Sequence, residues 1–539
     1  MRLIFCTMTI GLTLWGQGKT KDMCMPPPSA VAPSLPAQIL TGQGIVHFPI
    51  TTSNPEAQKF FDQGVAQMHS FWSREAERSF LQAAALDPEA PMPLWGIAMV
   101  AAGDYRPRFQ MDQYRDAMGY QPISPEHRAI KAAVKANELA AVAGKATEIE
   151  KAYIASILAR RSVTSKNPDQ EYLASLQMLV KTYPSEIEAR TYLALQSMGG
   201  YELPSHTPRP GTNEAVALLR QLMIDAPEHP AVHHYVIHGF EGATFNKDAW
   251  PSSKKYAELV PNIPHALHMP GHIYSQTGKL EEALKSFADA AVNERYWMSK
   301  DSLYGNGHHG HNLHYLATVA GYKGDYEKAL EAARELLAIP ENPREAAALD
   351  NFQTSYKQGW FSVLRTLVEA ERWDDLLAGQ MLPEIKKPRQ QAWRHWSLGV
   401  ANAAKGNSKS AKQELQAMNA AVEEYTTRLK LAAPEELIVA RKELEAHILM
   451  ARGKKGKGLK AMDQAARAQR ALRYTEPPWY PRPISVTLGN LSLKNGKIKE
   501  AEAAFKIALE EIPAWTKAEH GLKLAQSRTE TSTTVAAGF

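Results

Sequence analysis

The feature that most constrains the fold is a set of small, aromatic and proline residues that recurs at fixed spacing. Gly64 is followed by Ala, Phe, Ala and Pro at distances of 12, 16, 19 and 24 residues, and Gly489 is followed by the same residues at the same distances. Beyond about Pro55, apolar residues recur every three or four positions, which indicates amphipathic helices. A fixed internal period of this kind predicts stacked helix pairs that share one continuous core.

This order of residues resembles the tetratricopeptide-repeat signature, which has a period of about 34 residues. A third segment, from Gly271 through Phe287 to Ala290, follows the same order. The resemblance predicts an all-α protein, a right-handed superhelical solenoid of antiparallel helix pairs. We expect this solenoid over residues 54–527, after an extended N-terminal segment over 23–53 and before a disordered tail over 528–539. Residues 199–211, 295–306 and 476–483 interrupt the period and are expected to be functional loops.

The first 22 residues differ in character from the rest of the chain. Arg2 precedes an apolar run from Leu3 to Trp15 that is too short for a mature membrane span. We therefore expect a signal peptide over 1–22 and an exported, periplasmic or extracellular protein with no transmembrane span in the mature chain; an uncleaved anchor or a mistaken start is the alternative. The chain has only 2 cysteines, which excludes a disulfide framework. Its net charge of +5 without a basic block argues against a nucleic-acid partner.

Histidines are concentrated in the middle of the array, where 10 of the 18 lie between residues 233 and 314. His234 and His268 are 34 residues apart, as are His238 and His272, so consecutive repeats carry histidine at the same helix positions. A further interval of 46 residues, one repeat plus the insertion 295–306, separates His268 from His314. Within each group the histidines are three or four residues apart, so they share one face of a helix.

These positions line the concave surface of a tetratricopeptide solenoid, so three stacked helices would direct their side chains into one groove around residues 228–322. Neutral imidazole is the commonest metal ligand in proteins. An imidazole-rich set with one carboxylate suits two transition-metal ions, copper or iron in preference to zinc. The alternatives are ordinary core histidines or a polar groove that binds a peptide. The predicted ligands are His234, His238, Glu241, His265, His268, His272, His311 and His314.

The same motifs resemble those of a widespread group of uncharacterised, mostly exported bacterial tetratricopeptide-repeat proteins. The resemblance extends from about His47 to Leu522 and rests on HYVIHGFE, HALHMPGHIY and HNLHYL, which match the group's HxxxHxxE, HxxHMPxHIY and HNxHxL patterns. Near the C-terminus, Ser485 stands where the group has a basic residue, and Arg482 lies nearby. The resemblance implies the histidine site and leaves the reaction open.

The ligand set favours a copper- or iron-dependent oxidoreductase that acts on a small molecule. The alternatives are a non-catalytic protein that stores or delivers metal, and a scaffold that binds a peptide in its groove. Pocket candidates are His69, Tyr274 and Tyr315, although aromatic residues at such spacings more often serve packing. Three further histidines lie off the repeat register and are expected to flank and support the ligands: His233, His308 and His309. Three others are expected to be structural: His47, His395 and His447.

Overall fold

The computed structural model describes residues 32–33, 36–112, 123–301, 306–339, 354–472, 475 and 477–537. In this part of the chain almost all regular structure is helical, which confirms the predicted all-α solenoid. The helices are α1 (Pro55–His69), α2 (Ser73–Leu86), α3 (Pro91–Val100), α4 (Arg128–Ala140), α5 (Glu148–Arg160), α6 (Pro168–Thr182), α7 (Ile187–Ser197), α8 (Thr212–Asp225), α9 (Pro230–Phe240), α10 (Trp250–Leu259), α11 (Pro264–Gln276), α12 (Leu280–Lys300), α13 (Asn306–Lys323), α14 (Tyr326–Ala338), α15 (Ser355–Glu369), α16 (Trp373–Ala378), α17 (Pro388–Ala404), α18 (Ser408–Leu429), α19 (Glu435–Ala451), α20 (Lys455–Arg470), α21 (Ile484–Lys494), α22 (Ile498–Glu511) and α23 (Thr516–Ala537). A short 3₁₀ helix covers Asn246–Ala249.

The residues that revealed the repeat period lie where paired helices touch. A Cβ atom on Gly271 would lie 2.5 Å from the ring of Phe287, which is fully buried between α11 and its neighbours. The pairs Gly64–Phe80 and Gly489–Phe505 show the same close approach, at 2.5 and 2.6 Å. Only glycine admits the aromatic ring at this distance, because any larger side chain would overlap it. The repeated glycine and phenylalanine therefore form the close contact between paired helices.

The described residues of the N-terminal segment contain no helix and lie against the solenoid. Asn54 directly follows this segment, and its side chain accepts hydrogen bonds from the first backbone N–H groups of α1. Phe48 is buried against aromatic side chains of α1, α3 and α5. Gln43 Nε2 donates to the backbone oxygen of Asn262 at 2.8 Å, so the segment reaches the turn before α11. The predicted signal peptide, residues 1–22, lies outside the described residues.

The two ends of the array both pack back onto its middle. At the C-terminal end, Trp515 Nε1 donates to Glu369 Oε1 at 3.0 Å and Thr516 Oγ1 donates to the backbone oxygen of Lys323 at 3.2 Å. At the N-terminal end, the last residue of α1, His69, contacts α9 through a hydrogen bond between its carbonyl and His234. The contact from His69 places the end of α1 against the histidine-bearing face of α9. The histidines predicted to line a groove are buried in the structure.

Three segments differ in detail from their sequence-based interpretation. The insertion 295–306 begins as helix, because α12 continues to Lys300. Residues 199–211 contain a short antiparallel hairpin, with β1 (Tyr201–Glu202) paired to β2 (Thr207–Pro208). The C-terminal tail, expected to be disordered from 528, continues α23 as far as Ala537. Near the start of this tail, Thr529 Oγ1 donates to Glu502 Oε1 of α22 at 2.8 Å. This contact with α22 supports the C-terminal part of α23, which the composition of the tail did not predict.

Residues 477–483 are anchored to α19 by one buried carboxylate. Glu443 is fully buried, accepts a hydrogen bond of 2.6 Å from the Tyr480 hydroxyl and lies 3.1 Å from Arg482 Nη1. Burial raises the pKa of Glu443, but Arg482 and the hydrogen bonds outweigh burial and lower it to about 2. Arg482 is therefore a structural partner of Glu443.

Among the described residues, none of the helices combines the length and the apolar character needed to cross a bilayer.

We expect the Glu443→Gln variant to be less stable than the wild type by about 3 kcal/mol at pH 7. Because the folded-state pKa lies below the unfolded value, the stabilisation is complete above about pH 4.5 and is lost as the pH falls towards 2. Urea unfolding followed at pH 7 and pH 3 measures both values. The matched control, Glu424→Gln, removes an exposed i,i+4 ion pair and should change stability by less than about 0.5 kcal/mol. An equal penalty for Glu443→Gln at both pH values would contradict this assignment.

Candidate metal centre

Six of the eight predicted ligands form two groups of three imidazoles. Site 1 consists of His234, His238 and His265; site 2 consists of His268, His272 and His311. In each group, one ligand atom per residue lies within 4.8 Å of the others. The i,i+4 pairs on α9 and α11 supply two imidazoles of each group from one helix face, and a neighbouring helix supplies the third.

In site 2 the outer ring nitrogens of His272 and His268 have defined hydrogen-bond acceptors. His272 Nδ1 donates to Glu241 Oε1 at 2.9 Å. His268 Nδ1 donates to Asn312 Oδ1 at 2.8 Å, and the orientation of this amide follows from its Nδ2, which donates to the backbone oxygen of Phe287. Both protons therefore reside on Nδ1, and both Nε2 atoms present lone pairs. These two Nε2 atoms are 2.8 Å apart.

Site 1 has a similar arrangement. His234 Nδ1 donates to the backbone oxygen of His69 at 2.5 Å, so its Nε2 carries a lone pair and faces His265 Nε2 at 3.2 Å. His265 Nδ1 lies 3.2 Å from His308 Nε2. Within the described part of the chain, neither ring nitrogen of His238 has a hydrogen-bond partner. A fully buried imidazole without hydrogen bonds is costly, and a metal–nitrogen bond is one way to remove that cost.

All six imidazoles are buried, with exposed fractions of 5% or less. Burial lowers the pKa of His234 to about 3. Burial and the neighbouring imidazoles hold the pKa of four others well below the usual value. Those four are His238, His265, His268 and His311. Neutral imidazole is the form that binds metal ions.

The side chains that cover site 1 come from the start of the solenoid. The Phe71 ring lies 4.4 Å from the His234 ring and 5.4 Å from the rings of both His238 and His265, measured between centroids. The Arg106 guanidinium lies 4.6 Å from the centroid of Phe71. Neither residue was identified from the sequence, because the repeat period contains no information about which distant loop covers a helix face.

The other two predicted ligands belong to neither site. Glu241 accepts a hydrogen bond from His272 Nδ1 and so orients this imidazole of site 2, while its second oxygen lies 3.9 Å from His238 Nδ1, which is too far for a hydrogen bond. His314 lies one helical turn beyond His311, and its Nδ1 contacts Gln358 Oε1 at 3.2 Å. Repeat position alone could not separate these roles, since they depend on the length and neighbours of each side chain.

The pocket candidates also have distinct positions. The Tyr315 ring lies 4.7 Å from the His272 ring and 5.1 Å from the His311 ring, directly beside site 2. Tyr274 is half-buried, and Lys279 Nζ lies 5.9 Å from its ring centroid. Tyr274 thus packs in the core between repeats.

His69 belongs to a third buried group, with Glu188 and His229. His69 Nε2 donates to Glu188 Oε2 at 2.7 Å, and His229 Nε2 donates to Glu188 Oε1 at 2.9 Å. The Tyr235 hydroxyl completes the group by donating to His69 Nδ1 at 2.8 Å. The two histidines outweigh the effect of burial and hold the pKa of Glu188 far below its usual value. In both contacts with the Glu188 carboxylate, an imidazole nitrogen donates a hydrogen bond, so hydrogen bonds alone account for the distances within this group.

Glu294 lies between the two sites and connects to them through His308 and Asn312. His308 and His309, expected to be flanking residues, both donate from Nδ1 to Glu294, the latter at 2.7 Å. The His308 ring lies 5.3 Å from His265 of site 1 and 4.9 Å from His268 of site 2. Asn312 contacts His268 and Glu294. Glu294 stands directly before the insertion 295–306, and its role was not predicted from the sequence.

Both interrupting segments 199–211 and 476–483 contribute to a cavity of about 840 Å³. The hairpin supplies Leu203 and His206, and the second segment supplies Trp479 and Tyr480. Tyr322, at the end of the helix that carries His311, also lines this cavity. Two of the three segments that interrupt the repeat period therefore line one cavity.

Comparisons with known proteins found one family model and several solved structures that are similar to this chain. Residues 264–291, which include all of α11 and part of α12, match the family model described as tetratricopeptide repeat. No curated protein matches the chain. Similar solved structures include the Cut9–Hcn1 hetero-tetramer of APC/C (12% identity, 87% of this chain and 76% of that chain, TM-score 0.29) and the human IFIT1 dimer with m7Gppp-AAAA (13%, 88% and 91%, 0.30). Yeast Tom70 is similar at 11% identity over 89% of this chain and 90% of that chain, with a TM-score of 0.26. Identities of 11–13% with TM-scores of 0.26–0.30 say nothing about the function of this chain. The chain is a protein that contains a tetratricopeptide repeat within an all-α solenoid of antiparallel helix pairs.

Proposed function

We propose that this protein is an exported metalloprotein that holds two transition-metal ions, one in each group of three imidazoles. The observation that carries the proposal is the 2.8 Å separation between the Nε2 atoms of His268 and His272, whose protons reside on Nδ1. Two facing lone pairs repel, so the pair requires a positive charge between the rings, either an extra proton or a metal ion. A shared proton needs only two nitrogens, whereas His311 supplies a third. The third imidazole favours the metal ion.

Ligand spacing supports the same proposal. Bonds of about 2.0–2.1 Å from a metal to two imidazole nitrogens place those nitrogens about 2.8–3.4 Å apart when the angle between the bonds is about 90–110°. The inward nitrogens are 2.8 Å apart in site 2 and 3.2 Å apart in site 1. The hydrogen bonds to Glu241, Asn312 and the carbonyl of His69 hold the outer nitrogens, as is usual for imidazole ligands.

The donor set bears on the choice of metal. With Glu241 engaged in orienting His272, each site offers imidazole only. Imidazole suits copper, zinc, nickel and iron, whereas mononuclear iron centres that use dioxygen commonly include a carboxylate. We therefore favour copper, with iron and zinc as alternatives.

The activity that we propose is a copper-dependent oxidoreductase. Three protein ligands leave a coordination position for an exogenous molecule, and Tyr315 lies beside site 2. When bound, copper would supply a change between two oxidation states. The chain's own residues hold the imidazoles neutral, orient their Nε2 atoms and exclude water by burial.

A second function is favoured by the burial of all six imidazoles. A closed site suits storage or delivery of metal better than turnover. The cavity beside the hairpin supports a third candidate, a scaffold that binds a peptide.

Elemental analysis of the purified protein tests the proposal. We expect two equivalents of copper per chain, and a protein that takes up no copper, iron or zinc would refute it. Oxygen consumption with ascorbate as reductant then separates the two metal-dependent functions. Catalytic turnover supports the oxidoreductase, whereas copper that moves to a competing chelator without turnover supports delivery.

A further inference from the structure

We infer that Glu294 is a shared positioning residue, which sets the orientation of one ligand in each metal site and so couples the two sites. This inference rests on the proposed function. Glu294 is 4% exposed and lies in α12, directly before the insertion 295–306. Its two carboxylate oxygens face different partners, and each partner leads to a different site.

The first path leads to site 1. His308 Nδ1 donates to Glu294 Oε1, and an imidazole whose single proton is on Nδ1 presents a lone pair at Nε2. This Nε2 lies 3.2 Å from His265 Nδ1, so it accepts the His265 proton. His265 consequently presents the lone pair of its own Nε2 towards His234.

The second path leads to site 2. Asn312 Nδ2 donates to Glu294 Oε2 at 3.2 Å and to the Phe287 carbonyl at 2.9 Å. These two acceptors fix the amide so that its oxygen faces His268 Nδ1 at 2.8 Å. The His268 proton is thereby held on Nδ1, and its Nε2 is free to bind a metal ion.

Glu294 is itself held in place from the outside. His309 donates to Glu294 Oε2 at 2.7 Å, and its other nitrogen contacts Glu335 Oε1 at 3.2 Å. Arg295 forms a two-pronged ion pair with Glu335, at 2.7 and 2.6 Å. The carboxylate therefore has little freedom to move away from either path.

Replacing the carboxylate by an amide, in the Glu294→Gln variant, should disturb these paths. The new side chain would have an acceptor at one end and a donor at the other, so it cannot accept hydrogen bonds at both ends. If its NH₂ group faces His308, the proton of His308 moves to Nε2, and His265 must then carry its proton on the inward nitrogen. If its NH₂ group faces Asn312, that amide is driven to turn and the same conflict arises at His268. If the new amide exchanges between these two orientations, each orientation disturbs one site, and metal binding becomes less favourable at both.

The test is copper affinity in two backgrounds that each retain one site. The His268→Ala/His272→Ala protein keeps site 1, and the His234→Ala/His238→Ala protein keeps site 2. We expect Glu294→Gln to weaken Cu(II) binding about 10–100-fold in both backgrounds and to alter the Cu(II) EPR spectrum of each. The matched control, Glu335→Gln, acts on the outer support only and should change affinity less than about threefold, an order-of-magnitude estimate for a contact one residue further out.

Several results would overturn the inference. One is unchanged affinity in either background while the parent protein still binds two copper ions. A parent protein that binds no metal refutes instead the proposed function. If Glu294→Gln does not fold, His308→Ala and Asn312→Ala replace it, since each interrupts one path. We expect His308→Ala to weaken site 1 alone and Asn312→Ala to weaken site 2 alone, and the reverse pattern or equal losses would contradict the two paths.

Discussion

Removal of bound metal is expected to lower the unfolding temperature of the protein by about 5–10 °C. The two sites join helices α9, α11 and α13, and α9 in turn contacts the end of α1. An ion that binds the folded state alone contributes about 4 kcal/mol when its concentration is a thousand times its dissociation constant. Without the ion, neutral imidazoles face each other with their lone pairs in a buried space, which is unfavourable.

Differential scanning calorimetry of the copper-loaded protein and of the same protein after chelation measures this effect. The control is the His234→Ala/His238→Ala/His268→Ala/His272→Ala protein, for which the chelator should leave the unfolding temperature unchanged. Restoration of the original temperature by one metal and not by others would identify the preferred ion. Identical unfolding of the loaded and the chelated wild type would contradict a metal that supports the fold.

The second large effect is expected in metal content. The His268→Ala/His272→Ala variant should bind one ion per chain where the wild type binds two, because it removes two of the three ligands of site 2. The His234→Ala/His238→Ala variant should likewise retain only the ion of site 2. Elemental analysis gives the stoichiometry, and EPR of each variant isolates the signal of the remaining site.

The control for these variants is His520→Ala, because His520 is exposed on α23 and contributes to neither site. It should retain both ions. Far-UV circular dichroism must show that each double variant keeps its helix content, since loss of the fold would also release metal. A folded His268→Ala/His272→Ala protein with two ions would exclude site 2.

Much of the fold could be predicted from short-range patterns in the sequence. Gly271 and Phe287 belong to one repeat and contact each other, so their spacing along the chain already describes how α11 meets α12. The grouping of His234 with His238, and of His268 with His272, followed in the same way from four-residue spacing on a helix.

Which helices combine to form each site was harder to predict from the sequence. The 34-residue period placed equivalent histidines in register, which suggests one continuous row of ligands. In the structure the row is divided, because His265 joins the α9 pair and His311 joins the α11 pair. His314 and Glu241 lie outside the two groups. Their roles depend on Gln358 and His272, which come from other helices.

The sequence by itself determined that the chain forms helix pairs and that histidines share helix faces, because both properties arise from residues a few positions apart. Only the tertiary structure decided that these histidines are buried, that they divide into two groups of three, and that Glu294 contacts the supports of both. The reason is the separation of the residues concerned. The hydrogen bond from His234 to the carbonyl of His69 spans 165 residues, and no periodic pattern records which distant segment closes over a helix face.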